Sequence, residues 1–135
     1  MQRGTLIYGL PGSGKTTLGA RLGEIARKTR PVVLLDGDVM RKAWPEIGYD
    51  DAGRAENMRR LFELAEFYAD RGFHPVVSAV APYRHHRRPF LDAGYRSICL
   101  LTAFVDRGHS NPSFDPPGPT CLLIQSENEI RKLYR

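Results

Sequence analysis

The chain has 135 residues, 41% of them hydrophobic and 26% charged, enough for one compact domain over residues 1–135 that buries roughly two thirds of its unfolded surface. A formal charge of +5 and a pI near 9.5 favour an anionic partner, without choosing among acidic metabolites, nucleotides and nucleic acid. Nowhere do about eighteen apolar residues run together, so no membrane partner is expected, and a cytoplasmic location is.

The first apolar run, TLIYG, follows a basic start but spans only five residues before a glycine loop, which reads as a strand and not as a signal peptide. A helical pattern from Thr16 to Lys28 places Leu18, Leu22, Ile25 and Ala26 on one face. Next come a strand, PVVLLD, and the clearest helix, from about Asp51 to Arg71, with Met58, Leu61, Phe62, Ala65 and Tyr68 or Ala69 in register. Asp50 is placed to cap its start and Gly72 to close its end. HPVVSAV reads as a third strand and leads into a basic turn, where His85 to Arg88 form the solvated start of a helix. Adjacent histidines there point apart, which argues against a metal site. SICLLT and TCLLIQ complete the strands, with a last helical stretch from Glu127 to Tyr134. Between them, DRGHSNPSFDPPGP (106–119) has no periodicity and reads as a loop near the active edge. The two cysteines, Cys99 and Cys121, sit in apolar stretches and are expected to be buried free thiols. Strands alternating with helices predict an α/β fold, a doubly wound parallel sheet covered on both faces.

GLPGSGKT, Gly9 to Thr16, satisfies G-x-x-x-x-G-K-[ST] between a strand and a helix, the context that motif requires. Glycines let the loop curl so that successive N–H groups of Gly9, Gly12, Ser13, Gly14, Lys15, Thr16 and Thr17 meet phosphate oxygens at a helix N-terminus. Lys15 is expected to reach the β- and γ-phosphates, and the Thr16 hydroxyl to ligate Mg²⁺. A nucleoside triphosphate with Mg²⁺ follows.

LDGDVMR, residues 35–41, then ends a buried strand in two acids and an arginine. Ligands of parallel sheets bind beyond the carboxyl ends of the strands, where Asp36 and Asp38 fall. One carboxylate there orients or deprotonates an acceptor hydroxyl while the other holds waters on the metal; Arg41 faces an anionic group. The plainer reading makes Asp38 only the N-cap of a short helix.

Together, GLPGSGKTT, LDGDVMR, IGYDDAGRAENMRR and VSAVAPYRHHRR resemble the adenylylsulfate kinase family, from about Thr5 to Arg88. The resemblance implies a P-loop NTPase-type sheet of about five strands in order 2-3-1-4-5, and transfer of the γ-phosphate of ATP to the 3′-hydroxyl of adenosine 5′-phosphosulfate. It implies that Lys15, Asp36 and Asp38 serve the transfer, and that Arg41, Arg54 and Asn57 contact the phosphosulfate or its ribose. Tyr49 stands where an aromatic packs against the acceptor adenine. Ser78 closes the third strand, Pro82 and Tyr83 shape the pocket floor, and Arg84 lies near the bound anion. A homodimer is a possible assembly.

The chain departs from that pattern in three places. Gly53 replaces an acidic residue before Arg54, Pro11 replaces a common serine, and the family's basic lid after the fourth strand has no counterpart. In its place FVDRGHSNPSFDPPGP offers Arg107 and His109 to the triphosphate and Phe114 as an aromatic wall. The alternatives are a related small kinase acting on a nucleoside, sugar, antibiotic or nucleic acid hydroxyl, and a non-catalytic ATP-binding module. No aromatic-and-basic stripe of the kind that binds single strands is visible.

Overall fold

The computed structural model describes residues 2–100, 114–125 and 127–132. Its strands are β1 (Thr5–Gly9), β2 (Val32–Asp36), β3 (His74–Ala79), β4 (Arg96–Leu100) and β5 (Leu122–Ile124), and they form one parallel sheet in the order β2-β3-β1-β4-β5. This is the predicted order. Register sets Asp36 of β2 beside Ser78 of β3, and Ser78 beside Ile7 of β1, so the carboxyl ends lie along one edge.

Alternation along β1 divides the core. Leu6 and Tyr8 join Leu35, Met58, Leu61, Val77 and Phe90 on one face, while Ile7 joins Leu18, Val76, Ile98 and Ile124 on the other. Burial of each large apolar side chain contributes about 1.5–3 kcal/mol. Both faces are therefore covered.

Helix α1 (Lys15–Ala26) follows the predicted span, but its contact stripe is rotated. Leu18 is buried with Gly19 and Gly23, whereas Ile25, expected inside, is 42% exposed. A Cβ on Gly19 would stand 3.0 Å from the Ser78 hydroxyl, and one on Gly23 3.0 Å from the Leu34 side chain. The two glycines let the helix backbone lie on the sheet, so they and not Ile25 face it.

Helix α2 (Gly37–Ala43) starts directly at the end of β2, with Asp36 and not Asp38 as its cap. Helix α3 (Asp51–Ala69) is capped by the Asp50 carboxylate, which accepts from Gly53 N–H at 2.8 Å. Met58, Leu61 and Ala65 are buried as predicted, and Gly72 closes the following turn at φ 88°. Helix α4 (Arg84–Asp92) corrects the reading of HHRR as a solvated start: His86 and Arg87 are only 4% and 2% exposed and share the inner face with Phe90. Helix α5 covers Glu127–Lys132. Cys99 is a buried free thiol, pushed up to about 11 by burial; Cys121 is also free but only partly buried, and accepts a bond from the Tyr8 hydroxyl at 3.1 Å.

Gly53 has a steric reason. A Cβ there would stand 2.2 Å from the Gly48 carbonyl oxygen, because the Trp44–Asp50 turn closes over the start of α3. Gly53→Ala is expected to force that turn away and to destabilise the protein by about 1–3 kcal/mol in urea unfolding. Unchanged stability would contradict this packing.

Candidate active site

At the carboxyl edge of the sheet lies a cleft of about 600 Å³. The phosphate loop forms one end of it. Gly12 and Gly14 adopt left-handed φ values of 81° and 96°, which only glycine takes without strain. Gly14 caps α1 without any side-chain hydrogen bond, leaving the first helical turn to an outside acceptor. Gly9 sits deeper: a Cβ there would stand 2.4 Å from the Leu100 carbonyl, so a glycine is needed where β1 leaves the sheet. Lys15 Nζ donates to the Leu10 carbonyl at 3.0 Å, arching back over the loop.

Asp36 joins this end to the rest. Its Oδ2 accepts from the Thr16 hydroxyl at 2.6 Å, and its Oδ1 accepts from the N–H groups of Asp38 and Val39 at 2.8 and 3.4 Å. One carboxylate thus fixes both the hydroxyl on α1 and the first turn of α2. Gly37 keeps that turn close to its neighbours. A Cβ on it would be 3.3 Å from the Asn57 amide nitrogen, which donates to the Gly37 carbonyl. Asp38 is exposed in the cleft wall.

The far end is cationic and aromatic. Arg41 donates to the Gly48 carbonyl at 2.5 Å and lies 4.1 Å over the Tyr49 ring, while Arg54, 4% exposed, donates through Nε to the Tyr49 carbonyl at 2.8 Å. Among the described residues neither guanidinium forms an ion pair with a carboxylate. Burial, and then the neighbouring Arg54 charge, pull the Arg41 guanidinium below its ordinary range. Two cations held together without a buried acid have the chemistry that suits an anion. Asn57, 3% exposed, also lines the cleft, and its Oδ1 has no hydrogen-bond partner among the described residues.

The structure therefore brings together Gly12, Gly14, Lys15, Thr16, Thr17, Asp36, Asp38, Arg41, Tyr49, Arg54, Asn57, Ser78 and Pro82. Gly9 and Ser13 lie behind them, supporting the loop. Tyr83 and Arg84 stand outside the wall. The Tyr83 hydroxyl donates to Asp51 and its ring stacks on His85, while Arg84 is exposed and its N–H donates to the Asp115 carboxylate at 2.9 Å. Arg107 and His109 lie outside the described residues. Phe114 stacks on the buried Tyr8 ring, 6.2 Å away, and is not among the cleft-lining residues. Lys42, Ile47, Met58, Val80 and Ala81 were missed. Only the turn after α2, where the chain doubles back, places Ile47 there.

Comparison with known proteins identifies the family and the fold. The family model described as adenylylsulphate kinase matches residues 3–110. An adenylyl-sulfate kinase of Chloroflexus aurantiacus is 38% identical over 128 residues, covering 93% of this chain and 60% of that protein. Adenylyl-sulfate kinase 3 of Arabidopsis thaliana is 37% identical over 90 residues, 64% of this chain and 43% of that one. The chain thus spans less than two thirds of either relative. Among solved structures, the Mycobacterium tuberculosis APS kinase in complex with AMPPNP and APS shares the fold, with a TM-score of 0.77 over 98% of this chain and 96% of that one at 24% identity.

His86, beneath this site, gives a pH test. Burial, and then the charges of His85, Arg54 and Arg87, push its pKa down to about 4, so the folded protein holds the ring neutral. An unfolded histidine protonates near pH 6.5; stability is therefore complete above that pH and is lost as pH falls toward 4, by up to roughly 3 kcal/mol. His74, lowered by burial and Arg30, adds in the same direction. Thermal unfolding between pH 7 and 4 is expected to show this loss, and His86→Phe to flatten part of it. An equal slope in both proteins would contradict the assignment.

Proposed function

Because the chain belongs to the adenylylsulfate kinase family, we propose that it transfers the γ-phosphate of ATP to the 3′-hydroxyl of adenosine 5′-phosphosulfate. The supporting observation is one cleft with a phosphate loop at one end, two guanidiniums without carboxylate partners among the described residues at the other, and Asp36 and Asp38 between them. A pure nucleotide-binding module has no use for the second end.

Each part has a role that its chemistry suits. The amides of Gly12 to Thr17 and the Lys15 ammonium hold the triphosphate of ATP. The Thr16 hydroxyl and the Asp36 carboxylate, already in contact, are the hard oxygen donors that Mg²⁺ takes directly or through water. Bound there, Mg²⁺ supplies charge neutralisation on the β- and γ-phosphates. Asp36 has both oxygens engaged, whereas Asp38 is exposed in the wall, so Asp38 takes the proton of the acceptor hydroxyl. Arg41 and Arg54 receive the phosphosulfate. The unpartnered Asn57 Oδ1 suits a ribose hydroxyl, and the Tyr49 ring the adenine.

A homodimer and a cytoplasmic location belong to the same reading. Among the described residues no helix is long and apolar enough to cross a membrane.

Mass spectrometry of products tests the proposal: protein with Mg²⁺ and ATP, offered adenosine 5′-phosphosulfate, or nucleosides, sugars and oligonucleotides in parallel. A phosphorylated phosphosulfate is expected, lost by about a hundredfold or more in Lys15→Ala. ADP formed only with another acceptor would overturn the substrate and keep the kinase.

A further inference from the structure

Arg87 stands apart from every residue used so far. It is 2% exposed, deep beside the cleft, and its guanidinium meets four backbone carbonyls. Nε donates to Ala81 at 2.8 Å, Nη2 to Pro82 at 3.0 Å and to Asp115 at 2.9 Å, and Nη1 to Pro116 at 3.2 Å. The planar cation also lies 4.1 Å from the Tyr8 ring centroid and 4.8 Å from that of Phe114. These contacts join two separate segments: residues 81–82, which line the cleft, and residues 114–116, far along the chain. A direct bond reinforces the junction, Asp115 N–H donating to the Pro82 carbonyl at 2.7 Å.

The wall so held is strained. Ala81 has φ 41°, and among the described residues no other non-glycine has a positive φ. Such a conformation costs of order 1–3 kcal/mol and persists only where its surroundings over-determine it. Arg87 is the surrounding group bonded to its carbonyl. Burying a guanidinium with carbonyls and aromatic faces, but with no ion-paired carboxylate among the described residues, is itself costly. An apolar side chain would fill the space at lower cost but would bond none of the four carbonyls.

We propose that Arg87 is a positioning residue for the acceptor: by clamping Phe114–Pro116 onto strained Ala81 and Pro82, it fixes the wall against which the phosphate acceptor binds. Lysine cannot replace it, because a single ammonium lacks the planar fork that reaches both segments. The claim rests on the kinase reading for its substrate, and on geometry alone for the clamp.

The test uses Arg87→Lys, which keeps the charge, and Arg87→Met, which keeps the length. Hydrogen exchange without any substrate is expected to quicken about tenfold across 79–84 and 114–115 in both variants, with α1 unchanged. In phosphoryl transfer, the acceptor KM is expected to rise roughly ten- to a hundredfold while the ATP KM stays within about twofold. Unchanged exchange in both segments, or equal rises in the two KM values, would overturn the clamp. If the wild-type protein ignores adenosine 5′-phosphosulfate, the kinase reading fails separately, and the exchange result still decides the role of Arg87.

Discussion

The carboxylate of Asp36 is the contact on which the site depends. It ends β2, caps α2 through two N–H groups and accepts the hydroxyl of Thr16 on α1. Three elements that approach the cleft from different directions therefore share one anion. A capping carboxylate typically contributes about 1 kcal/mol to its helix. Its larger consequence is geometric, since it sets the phosphate loop at a fixed distance from Asp38 and Arg41. Gly37 completes the arrangement: without a side chain, the first residue of α2 rests against Asn57 and carries the cationic end of the cleft close to the phosphate loop.

Glycine recurs wherever two pieces of backbone must meet near the site. Gly9 passes under Leu100, Gly19 and Gly23 lay α1 on the sheet, and Gly53 admits the Gly48 turn over α3. That last contact accounts physically for the missing acidic residue before Arg54. The position is occupied by a neighbouring carbonyl, and Arg54 is held instead by the Tyr49 carbonyl of the same turn. Arg41 bonds that turn as well, so both cations and Tyr49 are tied to one turn.

Much of this was legible in the sequence. The parallel α/β sheet followed from apolar runs alternating with helical patterns, its strand order from the family resemblance, and the phosphate loop from its spacing. Asp36, Asp38 and Arg41 were placed at the site by their position at a strand end, and Arg54 and Asn57 by the family resemblance. What escaped was set by tertiary contact. Ile25 obeys helical periodicity yet points outward, because periodicity does not register that two glycines pack more closely than an isoleucine. His86 and Arg87 look like solvated charge in sequence. The burial of Arg87 depends on Tyr8 and Asp115, residues remote in the chain, and a polar side chain satisfied at long range leaves no local pattern; His86 is buried with neither ring nitrogen hydrogen-bonded among the described residues. Tyr83 and Arg84 failed to enter the cleft for a related reason: α4 begins there and turns them toward Asp51 and Asp115.

The proposed mechanism requires that the charge of Asp36 serve phosphoryl transfer and not only the fold. Asp36→Asn separates the two, because asparagine caps helices about as well as aspartate but carries no charge. Single-turnover transfer measured beside ATP binding is the direct measurement. ATP affinity is expected within a few-fold of wild type, and transfer slower by roughly 10²–10⁴, the size of the charge stabilisation a bound metal supplies. Transfer at the wild-type rate would mean that the carboxylate is structural, and that the chemistry is carried elsewhere in the cleft.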